Sequence, residues 1–163
     1  MIKVPTVKHS LKVHVYGCFS ENGFGKIYCF TENLNTDLLC NIYKRTLLPS
    51  ARKLFGKDDH SWILQEDNDP KHTSQKAETW RYDHQVTRMS WPSQSPDLNP
   101  MENVWAVLKA NISNHKPTSS KDLISVIQKE WKALDNIFAK NLILSMKNRI
   151  FLILANKGDH ILY

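Results

Sequence analysis

No stretch of this 163-residue chain approaches the ~18 consecutive apolar residues that a membrane-spanning helix needs. The opening residues, MIKVPTVKHS, lack the apolar segment of a secretory leader. Cysteine is scarce and odd in number. Cys18, Cys29 and Cys40 stand at no metal-ligand spacing and suggest buried thiols in a reducing compartment. The seven histidines are scattered without zinc-ligand spacing. Neither an internal repeat nor a low-complexity linker is visible. These absences point to one intracellular domain with no membrane association and no small-molecule cofactor.

What is present is a globular composition, 41% hydrophobic and 23% charged, in a chain long enough to bury a core. The formal net charge of +6 favours a polyanionic partner such as nucleic acid, and is equally compatible with a merely soluble basic protein.

The order of elements is strands mixed with helices, then helices alone, as in an α/β core with a helical end. Residues 12–19, KVHVYGCF, alternate with Val13, Val15 and Gly17 on one face and read as a strand. The Asn22–Gly23 pair supplies turn chemistry, and KIYCF reads as the return strand of a hairpin. A helix begins near Asn35 or Thr36, carries Leu39, Ile42, Tyr43, Thr46 and Leu47 on one stripe, and is expected to break or enter a new turn at Pro49. Gly56 lies past a helix end. SWIL, residues 61–64, fits a buried strand, TSQKAETWRYDHQ a polar helix, and VTRMSW another strand. The three prolines of PSQSPDLNP make a rigid loop. Asn99 caps the next helix, with Pro100 in its first position and Met101, Val104, Trp105, Leu108 and Ile112 as its apolar stripe. A second, capped by Ser120, carries Leu123, Ile124, Ile127 and Trp131. A third, from about Phe138 to Ala155, is nearly apolar throughout and reads as buried or interrupted. Trp91, Trp105 and Trp131 read as core.

Two acidic positions invite a chemical reading. Asp67 stands three residues beyond SWIL, where α/β sheets collect ligand-binding groups, and Asn68, Asp69 and Pro70 make a tight turn behind it. Glu102 falls in the first turn of its helix, off the apolar stripe. Each has an ordinary use: Asp67 and Asp69 as turn formers, Glu102 as a complement to the helix dipole. Hard divalent ions take carboxylate oxygens, so two carboxylates from separate elements make part of a Mg²⁺ site. Lys71 and His72, beside the acids, can face phosphates or simply solvent. Asn103 can hydrogen-bond a ligand or lie on the helix surface.

LQEDNDPKHTS followed by WPSQSPDLNPMENVWAVLK closely resembles the DDE catalytic domain of Tc/mariner-superfamily DNA transposases. In that family the second catalytic Asp opens the first motif and the catalytic Glu lies in the second. The matching positions are Asp67 and Glu102, with the Tc-type interval of 34 residues between them. VKHSLKVHVYGCFSENGFGKI and LILSMKNRIFLILANKGDHILY also resemble the family, so the likeness spans nearly the whole chain. It implies a ribonuclease H-like fold, a mixed sheet flanked by helices. It further implies Mg²⁺ or Mn²⁺ at Asp67 and Glu102, DNA cleavage and integration, work as dimers or higher assemblies, and a nuclear location. Tyr16 stands where the family usually has Trp, and Lys147 where it usually has Pro. The family's first catalytic Asp sits before the hairpin in an FSDES-like segment, whereas residues 1–11 here contain no acid. The expectation is therefore a domain without its first strand, its first catalytic Asp and the N-terminal helix-turn-helix region, inactive alone and weak in metal binding. Two alternatives stay open: a non-catalytic nucleic-acid-binding or interaction module derived from a transposase, and an element remnant without function.

Overall fold

The structure is a computed structural model that describes residues 2–4, 11–91 and 98–155. Strands β2 (Leu11–Ser20) and β3 (Gly23–Phe30) form an antiparallel hairpin around Glu21 and Asn22. Gly23 takes φ +116°, a conformation that glycine adopts without a Cβ penalty. A short strand β1 (Ile2–Val4) adds to the other edge of β2, with Ile2 opposite Val13. Three residues are too few to show a period, so this strand left no pattern in the sequence.

The hairpin is a wall shared by two cores. Val13, Val15 and Phe19 face one cluster, and Tyr16 and Cys18 face the other, as the two-residue period of a strand requires. On the first side pack α4 (Met101–Ser113), α5 (Ser120–Lys132) and α6 (Asn136–Ala155). Val104, Leu108, Ile112, Leu123, Ile127 and Trp131 are buried there. Each such fully buried aliphatic or aromatic side chain contributes about 1.5–3 kcal/mol. The Trp131 indole reaches the hairpin itself, where Nε1 donates to the Gly25 carbonyl at 2.9 Å. Gly17 makes room for it: a Cβ at this position would lie 2.6 Å from the Trp131 ring.

On the second side, α1 (Thr36–Ile42) runs through a π-helical turn (Tyr43–Leu47) into α2 (Leu48–Phe55). Asn35 is the cap, accepting from the Leu38 amide at 2.8 Å. Of the break or new turn expected at Pro49, the structure has the second. The Leu48 N–H reaches back to the Tyr43 carbonyl in the wider π pattern, and Pro49, which has no N–H to place, sits at the start of α2. Beyond Gly56, β4 (Ile63–Leu64) pairs in parallel with β5 (Thr87–Arg88), and α3 (Gln75–Asp83) makes the crossover. Both strands are shorter than SWIL and VTRMSW suggested. Leu64 is buried but Ile63 is half-exposed, so burial holds for only one side chain of β4. Among the described residues the mixed sheet is divided into an antiparallel ladder of three strands and a parallel pair.

The boundaries of the helical end shift slightly. Pro100 is the cap of α4, although the Asn99 side chain still accepts from the Met101 amide at 3.2 Å. Ser119, not Ser120, caps α5. α6 is neither buried nor interrupted. It is one helix whose buried residues are Ala139, Leu142 and Arg149, while Ile137, Leu144, Ile150, Phe151 and Leu154 are exposed. An apolar sequence shows that burial would be favourable, not that a partner surface is there. The three cysteines are half-buried rather than buried, as are Trp91 and Trp105. The greater part of the proline-rich loop, residues 92–97, lies outside the described residues.

Candidate active site

Asp67 lies just beyond the carboxyl end of β4, and the chain turns immediately. Asp69 directs this turn. Its Oδ1 accepts from the Lys71 amide at 2.9 Å, and its carbonyl accepts from the amides of His72 and Thr73. The hydrogen bond from the Lys71 amide, followed by those from the Lys71 ammonium, holds the Asp69 carboxyl below the usual carboxylate range. Pro70 occupies the turn, and Ser74 ends it by capping α3 through the Ala77 amide at 3.3 Å.

The Asp67 side chain is 64% exposed. Its Oδ1 accepts from the Asp69 amide at 3.2 Å and lies 2.7 Å from His72 Nδ1. Both bonds among the described residues fall on Oδ1, so Oδ2 is available to a cation. Both side chains beside the acids have carboxylate partners: Lys71 Nζ pairs with Asp69 at 3.0 Å and His72 pairs with Asp67.

Beneath this turn lies a group of residues that sequence reading missed. Glu66 is only 7% exposed in its side chain and meets two guanidinium groups. Arg81 Nη1 donates to Glu66 Oε1 at 3.0 Å. Arg88 Nε stands 3.1 Å from the same oxygen, an ion-pair contact that lacks hydrogen-bond geometry. The Tyr43 hydroxyl donates to Glu66 Oε2 at 2.6 Å. Burial, then the Glu66 carboxylate, pushes the Tyr43 hydroxyl well above the ordinary tyrosine range. Both arginines continue to the loop. Arg81 Nη1 donates to the His72 carbonyl at 2.9 Å. Arg88 Nη2 donates to the Asp67 carbonyl at 2.9 Å and to Asn68 Oδ1 at 2.8 Å. The only sequence signal was an acid directly before Asp67, which pointed nowhere because its partners lie 15 and more residues away.

Glu102 is exposed in the first turn of α4, and its amide donates to the Asn99 carbonyl at 3.1 Å. Two amide side chains tie the Asp67 turn to the segment leading there. Asn68 Nδ2 donates to the Trp91 carbonyl at 2.8 Å, and Gln65 Nε2 to the Leu98 carbonyl at 3.3 Å. The Asn103 Oδ1 accepts from buried Arg149 on α6 at 2.9 Å. Among the described residues no three His, Cys, Asp or Glu side chains gather as a metal site. A cavity of about 260 Å³, lined by Arg52, His60, Trp62 and His84 among others, lies instead where β4 and β5 begin. It is at the other end of these strands from Asp67.

Comparison with known proteins places these features in context. The family model for DDE superfamily endonuclease matches residues 2–124. The Tcb1 transposase of Caenorhabditis briggsae is 34% identical over 155 residues, covering 94% of this chain and 56% of that protein. The Tc1 transposase of Caenorhabditis elegans is 32% identical with the same coverage. The chain thus spans about half the length of the curated relatives it matches. The crystal structure of the Mos1 mariner transposase catalytic domain superposes with a TM-score of 0.83 at 16% identity, covering 98% of this chain and 80% of that one. A Mos1 paired-end complex with the left transposon end gives 0.83 at 16% identity, covering 96% and 47%. At that identity the likeness bears on the fold, which is ribonuclease H-like.

Proposed function

Because this chain belongs to the DDE superfamily endonucleases, in their Tc/mariner transposase branch, we propose that it carries the second and third acidic positions of a transposase catalytic domain, Asp67 and Glu102, and acts on DNA. The observation that carries this reading is the exposed Asp67 carboxylate held on a fixed turn at the carboxyl end of a parallel strand. Its partners in this reading are DNA and a second copy or a full-length transposase, and its compartment is the nucleus.

Hard divalent ions fit the donor set in kind: Asp67 Oδ2 and the exposed Glu102 carboxylate are both oxygen ligands. Mg²⁺ or Mn²⁺ bound there would supply an activated water and charge neutralisation at the scissile phosphate. The chain's own residues orient and attract. His72 and the Asp69 amide fix one oxygen of Asp67, the first turn of α4 carries Glu102, and the net charge of +6 draws the polyanion. Two carboxylates are few for two ions, so metal binding by this chain alone is weak and strand transfer does not follow.

The test is Mn²⁺ binding followed by electron paramagnetic resonance, beside incubation with supercoiled plasmid. Expected are weak binding, lost in Asp67→Ala and in Glu102→Ala, and an intact plasmid. Binding indifferent to both substitutions overturns the site. Mn²⁺-dependent nicking that disappears in Asp67→Ala overturns the inactivity of the isolated chain. A non-catalytic nucleic-acid-binding role is the second reading, supported by the net charge of +6.

A further inference from the structure

Arg88, at the end of β5, joins the buried Glu66 to the Asp67 turn. One edge of its guanidinium faces buried Glu66 at 3.1 Å, and Nη2 reaches the Asp67 carbonyl at 2.9 Å and Asn68 Oδ1 at 2.8 Å. Its side chain is largely buried. We infer that Arg88 is a positioning residue for the Asp67 carboxylate, acting through the Asp67 carbonyl and the Asn68 amide; this rests on the reading of Asp67 as a metal ligand.

The chain of contacts runs in one direction. Tyr43 and Arg81 hydrogen-bond Glu66, whose carboxylate stands beside Arg88 Nε as an ion pair. A planar guanidinium presents its donors at fixed angles to one another, so that one nitrogen serves both acceptors, which an ammonium on a flexible stem does not. Those donors hold the backbone of Asp67 and turn Asn68 so that its Nδ2 reaches the Trp91 carbonyl. Arg81 holds the far end of the same turn through the His72 carbonyl, and His72 is the ring against Asp67 Oδ1. The direction of the Asp67 carboxylate, and its relation to the segment leading to Glu102, are thus set from beneath by largely buried groups. Groups that orient a ligand from behind are worth about 10–100-fold in metal affinity.

The experiment uses the whole ¹⁵N-labelled chain, with Mn²⁺ alone as probe, and compares the parent with Arg88→Lys and Asp67→Asn. Arg88→Lys keeps a cation beside Glu66 but loses the fork. The expected result is hydrogen exchange at the Asp69, His72 and Thr73 amides faster by about tenfold, with α4 and α5 amides and the melting temperature unchanged. Mn²⁺ broadening at residues 67–69 then requires about tenfold more metal. Loop exchange and broadening within twofold of the parent overturn the positioning role. Asp67→Asn tests the underlying reading separately: if it leaves the broadening intact, Asp67 is not the ligand, and the exchange result alone decides whether Arg88 positions the turn.

Discussion

At the scale of single residues, Glu66 carries the largest consequence. It is one buried carboxylate between two guanidinium groups and a phenol. Glu66→Ala strands two cations in a poorly solvated place, so the expected loss is about 3–5 kcal/mol, measured by urea unfolding. Asp69 behaves differently because it is partly exposed. Its carboxyl is held below the ordinary aspartate value of about 3.9 when folded. Its contribution is therefore fully present above that value and disappears as pH falls through the lowered one. A pH titration by NMR should show the Lys71 amide shift constant above pH ~4 and moving only below it, and flat throughout in Asp69→Asn. Of these residues Asp67, Asp69 and Glu102 were legible in the sequence, because turns and helix starts are local. Glu66, Arg81 and Arg88 were not. An arginine on a polar helix and another in a two-residue strand look like surface charges until the crossover brings them to one carboxylate.

At the scale of elements, legibility follows the range of the interaction. The α4 stripe of Val104, Leu108 and Ile112 and the Asn35 cap were readable because three or four residues define them. The π-helical turn at Tyr43–Leu47 was not, since a proline two residues on suggests a break as readily as a change of pitch. The exposure of α6 was not either, because it depends on what the neighbouring helices already cover. The contact between α5 and the hairpin gives the sharpest test at this scale. Trp131 is pinned by its bond to the Gly25 carbonyl and cannot retreat from a methyl group on Gly17. Gly17→Ala should cost about 1–3 kcal/mol through overpacking, seen as a lower denaturant midpoint with an unchanged slope.

At the scale of the whole molecule, charge and shape act together. The chain carries a net charge of +6, and among the described residues no helix is long and apolar enough to cross a membrane. If DNA is the partner, a gel shift should show binding at low salt that weakens steeply between about 50 and 200 mM salt. No shift at low salt would remove both the catalytic and the non-catalytic nucleic-acid readings. The exposed face of α6 gives that experiment a second variable. Ile137, Leu144 and Phe151 recur every seventh residue along it, and Phe151 is 69% exposed. At low salt the mutual repulsion of cationic molecules keeps such faces apart. Added salt screens the repulsion and leaves the apolar contact untouched. Salt therefore drives two associations in opposite senses, releasing the polyanion while promoting clustering of the protein with itself, and a loss of signal in the gel is assigned to one or the other only when the particle size is followed in the same buffers.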